Sequence, residues 1–241
     1  MIEIQSIGSS SSGNCYRIQS RKSSLLLDCG LPIAKIKIAL NFGLSAVAGC
    51  LVSHEHGDHA KAVPGLLKYG IGVYMSRGTA EGLALELNLG SRHHRLHIVK
   101  AGIQFQIGSW TVLPFETVHD CAEPLGFLIS DGEGDKIIFA TDTAYIRNTF
   151  SGLTAIMVEC NYSLDVLQER MNIGDISKSR YDRIIQTHFG LDNVLEFLKA
   201  NNLSKVKSIH LMHMSDDNIN EARAVREVQR LTGLPVVACR K

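Results

Sequence analysis

Apolar and polar positions alternate in short runs along the first third of the chain. Residues 2–7 alternate one by one, the period of a half-buried strand. Residues 15–18 and 24–28 read as a second and third strand, and 32–41 switches to helical spacing with Pro32 near its first turn. Residues 47–53 form an apolar strand that runs directly into a polar hexapeptide. Further strands are predicted at 72–75, 103–107, 111–118, 126–129, 137–140, 156–159, 207–212 and 235–239. Helices are predicted at 79–87, 164–171, 191–200 and 219–231. Meandering strands beside strand–helix alternation predict an α/β protein. Two sheets with helices outside would form a layered sandwich with one core and one domain over residues 1–241.

Composition narrows the class without naming it. At 45% hydrophobic and 20% charged residues, a chain of 241 residues is neither disordered nor fibrous. Its apolar runs fall far short of the roughly 20 residues of a membrane span, so no membrane partner is expected. Met1-Ile2-Glu3-Ile4-Gln5 has no basic or long apolar stretch, so a secretory signal is not expected and the reading is cytoplasmic. The six cysteines form no Cys-x-x-Cys pair and read as reduced thiols. With 25 basic against 24 acidic side chains, any polyanion must be met by a local positive field.

The candidate chemistry lies at strand ends. His54-Glu55-His56-Gly57-Asp58-His59 gathers three imidazoles and two carboxylates straight after an apolar strand. Imidazole and carboxylate suit zinc, manganese and iron, and the sequence does not choose among them. One such loop cannot fill two metal shells. His119, Asp142 and His213 each follow a predicted strand downstream. Two divalent ions would bring +4, Asp58 with Asp142 would return −2 and a hydroxide one more, so a positive well of about one charge remains for an anionic substrate.

The series His54-x-His56-x-Asp58-His59, His119, Asp142, His213 resembles the ordered motif set of the metallo-β-lactamase-fold hydrolases. The resemblance covers essentially the whole chain. It implies the αββα four-layer sandwich with two divalent ions per chain. His54, His56 and His119 would hold one ion, Asp58, His59 and His213 the other, and Asp142 would bridge them. Ser9-Ser10-Ser11-Ser12-Gly13-Asn14-Cys15-Tyr16, Leu27-Asp28-Cys29-Gly30-Leu31, Thr141-Asp142-Thr143, Val158-Glu159-Cys160-Asn161 and His213-Met214-Ser215-Asp216-Asp217-Asn218 are similar to the YycJ/WalJ-like proteins. That branch is regarded as metal-dependent nucleases acting on DNA and is related to tRNase Z.

The tRNase Z likeness implies that Glu159 orients His188, which donates a proton to the leaving group. The chain departs from the YycJ pattern just after, at Phe189-Gly190-Leu191-Asp192-Asn193. No insert follows Asp142 and no tRNA-gripping arm is evident, which argues against tRNA processing. Asp58, Glu159 and His188 are therefore the candidate catalytic residues.

The expected function is a dinuclear phosphodiesterase on nucleic acid, DNA before RNA, of exonuclease type. The alternative is a small-molecule phosphodiesterase for cyclic nucleotides or cyclic phosphates. A thioester or lactone hydrolase would not need Glu159 and His188, and a non-catalytic relative would not need all seven ligand positions. Cleavage direction and oligomeric state stay open, a homodimer being one candidate. Three further segments keep two readings. The 9–14 loop is a turn or a phosphate cradle. The basic run around His93, His94 and His97, with Arg92, Arg95 and Lys100, is a solvated loop or a phosphate-contact patch. Glu55 and Asp120 are supports for the ligands or ordinary surface carboxylates. His210 reads as a strand residue.

Overall fold

In this computed structural model, residues 2–87 and 94–240 are described. The strands form two mixed sheets, of six and seven strands, flanked by helices. The chain divides into two compact units. The first runs to Glu116 and includes Cys121–Asp135; the second holds Thr117–Asp120 and Lys136–Cys239.

In the first unit β1 (Glu3–Gly8), β2 (Cys15–Gln19) and β3 (Ser24–Leu27) pair antiparallel. Helix α1 (Ile33–Ala39) then returns the chain to β4 (Val47–Leu51), parallel to β3. Helices α2 (Gly57–Ala60) and α3 (Val63–Lys68) lead to β5 (Val73–Met75), and α4 (Arg77–Leu87) precedes β6 (Leu96–Ile98). Both of these strands continue the parallel run, because each helical crossover restores the strand direction. Leu26, Cys50, Val52, Leu66, Val73 and Met75 pack together in the core beneath these helices. A meander of β7 (Phe105–Ile107), β8 (Trp110–Glu116) and β9 (Leu125–Ser130) completes the unit. Trp110 is fully buried, and its indole N–H donates to Ser23 Oγ at 2.8 Å, the partner a buried indole needs.

In the second unit β10 (Lys136–Ala140), β11 (Ala155–Glu159), β12 (Ser208–Met212) and β13 (Val236–Ala238) are all parallel. Helices α5 (Leu164–Asn172), α6 (Lys178–Thr187) and α7 (Leu191–Ala200) lie between β11 and β12, and α8 (Glu221–Thr232) lies between β12 and β13. Every residue of β11 is buried, as expected for a strand inside a parallel sheet.

The expected strands and helices are all present, with ends moved by a few residues. Helices α2, α3 and α6 and strand β6 were not legible. α6 is mostly polar, KSRYDRIIQT, and buries only Ile184 and Thr187, so its pattern carries little helical period. The loop reading at His97 is corrected: this residue lies in β6, its ring stacked on Tyr74 with centroids 4.5 Å apart. His93 and Arg92 lie outside the described residues. The six cysteines are free thiols, five of them buried.

Candidate metal-binding residues

Within each unit the candidate ligands lie beyond the carboxyl ends of parallel strands, where loops gather side chains, except His119, which follows the antiparallel β8. In the first unit that end is occupied by residues following β3 and β4. In the second it is occupied by residues following β10, β11 and β12.

In the first unit, Asp28 adopts φ 56°, in the left-handed region that only a constrained non-glycine residue holds. That turn brings its carboxylate across to the loop after β4. Asp28 Oδ1 accepts from the Ser53 N–H at 2.7 Å, and Oδ2 lies 2.7 Å from His59 Nδ1. Burial raises the Asp28 carboxyl pKa, and the His59 ring opposes that shift. With Nδ1 engaged, His59 offers Nε2, which lies 3.4 Å from Asp58 Oδ2 and 3.0 Å from Asn14 Nδ2. His54 Nε2 and His56 Nδ1 approach to 3.1 Å. Two imidazole nitrogens on one tetrahedral zinc would stand ~3.3 Å apart, so this pair fits a shared cation.

The 9–14 loop has the geometry of a support. Gly13 N–H donates to Ser10 O, Asn14 N–H donates to Asp58 O at 2.7 Å, and Tyr16 donates to Ser9 Oγ. Gly30 lies so close to the histidine loop that an added Cβ would stand 1.6 Å from Asp58 O. Glu55 is no idle surface group: its Oε1 accepts from the Ala122 N–H at 2.7 Å, while Oε2 is buried without a partner.

In the second unit, Asp142 (φ 41°) and His213 (φ 47°) repeat the left-handed exit seen at Asp28. Asp142, Glu159, His188 and His213 bring ligand atoms within 4.8 Å of one another. Asp142 Oδ1 is 2.7 Å from His213 Nδ1, and Asp142 Oδ2 is 3.7 Å from His119 Nε2. His119 Nδ1 lies 2.8 Å from the Thr187 carbonyl, which fixes its tautomer so that Nε2 carries the lone pair. Asp120 pairs with Arg183 at 2.9 Å and lies 3.3 Å from His119 Nε2.

Glu159 is fully buried at the end of β11. Its Oε2 accepts from the backbone N–H groups of Thr143 and Phe189, both at 3.0 Å. Its Oε1 meets His188 Nδ1 at 2.6 Å and His213 Nδ1 at 3.2 Å. Burial alone would raise the Glu159 pKa, but His188 and these hydrogen bonds bring it below the usual range. Burial would likewise lower His188, and Glu159 outweighs it, so His188 is raised. His213 is pushed up to about 10, Asp142 and Glu159 overcoming burial. His119 is lowered, its burial winning. The Phe189-Gly190 departure is accommodated: Phe189 is buried, and a Cβ on Gly190 would meet the Tyr162 ring at 2.7 Å. His210 lies in β12 with Nε2 3.1 Å from Ser208 Oγ, a strand residue as expected.

Both sets are imidazole and carboxylate, the donors that divalent zinc, manganese or iron accept, and in each the ring nitrogens are oriented by buried acceptors. A family profile described as "Beta-lactamase superfamily domain" matches residues 24–214. The chain belongs to the β-lactamase superfamily. Within it, the chain is 26% identical over 237 residues to the exodeoxyribonuclease WalJ of Streptococcus pneumoniae, covering 93% of this chain and 86% of that protein. It is 29% identical over 224 residues to the exodeoxyribonuclease YycJ of Bacillus anthracis, covering 88% and 82%. Among solved structures, the metallo-β-lactamase-fold protein YhfI of Bacillus subtilis superposes with a TM-score of 0.74 at 16% identity, covering 99% of this chain and 96% of that one. Superfamily membership and the named relatives support a metal-dependent hydrolase. Among the described residues no helix is long and apolar enough to cross a membrane.

Sequence reasoning treated Asp28 and Asn14 only as parts of a family pattern. The structure gives them contacts to His59. An acidic residue directly after an apolar strand, as at Asp142, was the available signal for Asp28.

Proposed function

We propose that this superfamily member is a dinuclear metal-dependent phosphodiesterase that hydrolyses nucleic-acid phosphodiester bonds, a DNA exonuclease of the YycJ/WalJ type, with residues 1–241 forming one catalytic domain. His54, His56 and His119 are assigned to one ion, Asp58, His59 and His213 to the other, and Asp142 to both. The observation that carries the reading is the 2.6 Å contact between His188 Nδ1 and Glu159 Oε1. A thioester expels a thiolate that leaves without help, whereas a phosphodiester must expel an alkoxide. A positioned acid then contributes typically 10²–10⁴-fold.

Bound divalent cations would lower the pKa of water towards 7 and balance the phosphate charge. The protein's own groups do the rest. Asp58, with its side chain 26% exposed, takes up the proton of the attacking water. Glu159 holds His188 protonated and directs Nε2 outward, because Nδ1 is engaged. As the new P–O bond forms and the ester P–O bond breaks, His188 Nε2 hands its proton to the departing alkoxide. The products are an alcohol and a phosphomonoester. Asp28 and the Thr187 carbonyl keep His59 and His119 in one tautomer throughout.

The test is one assay panel with added Mn²⁺ or Zn²⁺. It compares end-labelled single-stranded DNA, duplex DNA, RNA and cyclic mononucleotides, with Asp58→Ala as the blank. Shortening of DNA from an end supports the reading. Turnover of cyclic mononucleotides alone replaces it with the small-molecule alternative. No turnover of any substrate by metal-loaded protein overturns it.

A further inference from the structure

Within the first unit, Cys29–Ala80 carries a net charge of +3, from five basic and two acidic side chains. From Cys29 to Ala80 the acidic residues are Glu55 and Asp58, both in the histidine loop, against Lys35, Lys37, Lys61, Lys68 and Arg77. Lys35 is exposed on α1, and Lys61 and Lys68 are exposed at and near α3. The same stretch exposes large apolar side chains: Phe42 at 70%, Ile38 at 62% and Tyr69 at 51%. Lys37 joins two of them. Lys37 Nζ donates to Tyr69 Oη at 3.0 Å, sits 4.6 Å from that ring's centroid and 5.8 Å from the Phe42 centroid.

The backbone shows that Phe42 is held there at a cost. Asn41 and Phe42 follow α1 with φ 48° and 62°. Phe42 N–H reaches back to Lys37 O at 2.7 Å, closing the helix end in a turn where glycine is the usual occupant. A bulky L-residue in the left-handed region is an outlier, and here its ring gains no burial in return. A folding role does not account for it.

We propose that the Lys37–Phe42–Tyr69 surface is a docking platform for single-stranded nucleic acid, with bases stacking on Phe42 and Tyr69 and phosphates meeting Lys35, Lys37, Lys61 and Lys68. Charge complementarity selects the occupant: a polyanion with flat apolar faces satisfies both the cations and the rings. The inference rests on the nucleic-acid reading given above and adds the surface that grips the strand. Because α1 begins three residues beyond Gly30, which abuts Asp58, the platform and the histidine loop belong to one continuous unit.

The experiment measures binding of a fluorescent single-stranded oligonucleotide by anisotropy across a salt series, alongside cleavage of the same oligonucleotide and of a small aryl phosphodiester. The proteins are wild type, Phe42→Gly, Tyr69→Ala and Lys37→Gln. Phe42→Gly relieves the backbone, so its melting temperature holds or rises. The expected result is a Kd weaker by roughly 5- to 150-fold for each ring variant. For Lys37→Gln the slope of log K against log salt falls by about 0.7. All variants keep wild-type turnover of the aryl diester. Wild-type oligonucleotide affinity in Phe42→Gly and Tyr69→Ala overturns the platform while leaving the nuclease reading intact. Failure of wild type itself to bind or cleave any oligonucleotide, while turning over the aryl diester, overturns both. Dimerisation that Phe42→Gly abolishes, with oligonucleotide affinity unchanged, assigns the surface to a second copy and also overturns the proposal.

Discussion

His59 Nδ1 lies 2.7 Å from Asp28 Oδ2, and both side chains are fully buried. A buried carboxylate is costly unless paired, so this contact exists because the ring returns what the carboxylate loses on leaving water. It also fixes which nitrogen of His59 is presented. Asp28→Asn keeps the shape and removes the charge. Metal affinity, measured by titration against a competing chelator, should fall roughly 10- to 100-fold. An unchanged affinity would mean that His59 does not depend on Asp28 for its orientation.

Gly30 has no room for a side chain, since a Cβ there would stand 1.6 Å from the Asp58 carbonyl oxygen. The neighbouring chain segments are joined by Cys29 N–H to His59 O and Asn14 N–H to Asp58 O, both at 2.7 Å. Gly30→Ala must separate them. Urea denaturation should show a loss of about 3 kcal/mol or more, with weaker metal binding in whatever folds.

Glu159 holds His188 above its ordinary pKa. A general acid works only while protonated, so activity falls as pH rises through its pKa. Glu159→Gln removes the charge and lets burial dominate, so the His188 pKa drops. The alkaline limb of the kcat/KM profile on DNA should therefore move to lower pH. A limb that stays in place would assign it to another group.

His210 supplies a pH test of the fold itself. Burial lowers its pKa from 6.5 to about 4. Above pH 6.5 both folded and unfolded chains carry it neutral, and it has no effect. As pH falls towards 4, the unfolded chain takes up a proton that the folded chain refuses, so stability declines, by on the order of 3 kcal/mol in all. Denaturation midpoints of His210→Leu should lose this part of the acid sensitivity between pH 6.5 and 4. A variant as acid-sensitive as wild type would contradict the assignment.

Much of this was legible because parallel sheets impose it. Apolar runs such as those ending at Ala140 and Met212 mark strands, and polar residues just beyond them fall where loops gather, which pointed to Asp142 and His213 before any geometry. The Glu159–His188 pairing came from family likeness alone, since 29 positions separate the two in sequence and no local pattern joins them. Asp28 contacting His59 was hidden for the same reason, with 31 positions between them. Helix α6 was hidden because its stability comes from packing a few residues such as Ile184, not from a periodic apolar stripe. The left-handed turns at Asp28, Asp142 and His213 leave no compositional trace, because none of the three is glycine.

The proton-donor claim is tested most directly by comparing leaving groups. Wild type and His188→Ala, matched for metal content, are assayed on single-stranded DNA and on an aryl phosphodiester whose phenolate departs without a proton. The account predicts a loss of roughly 10²–10⁴-fold on DNA and little change on the aryl ester. Equal losses on both substrates, or near wild-type rates on DNA, would contradict it.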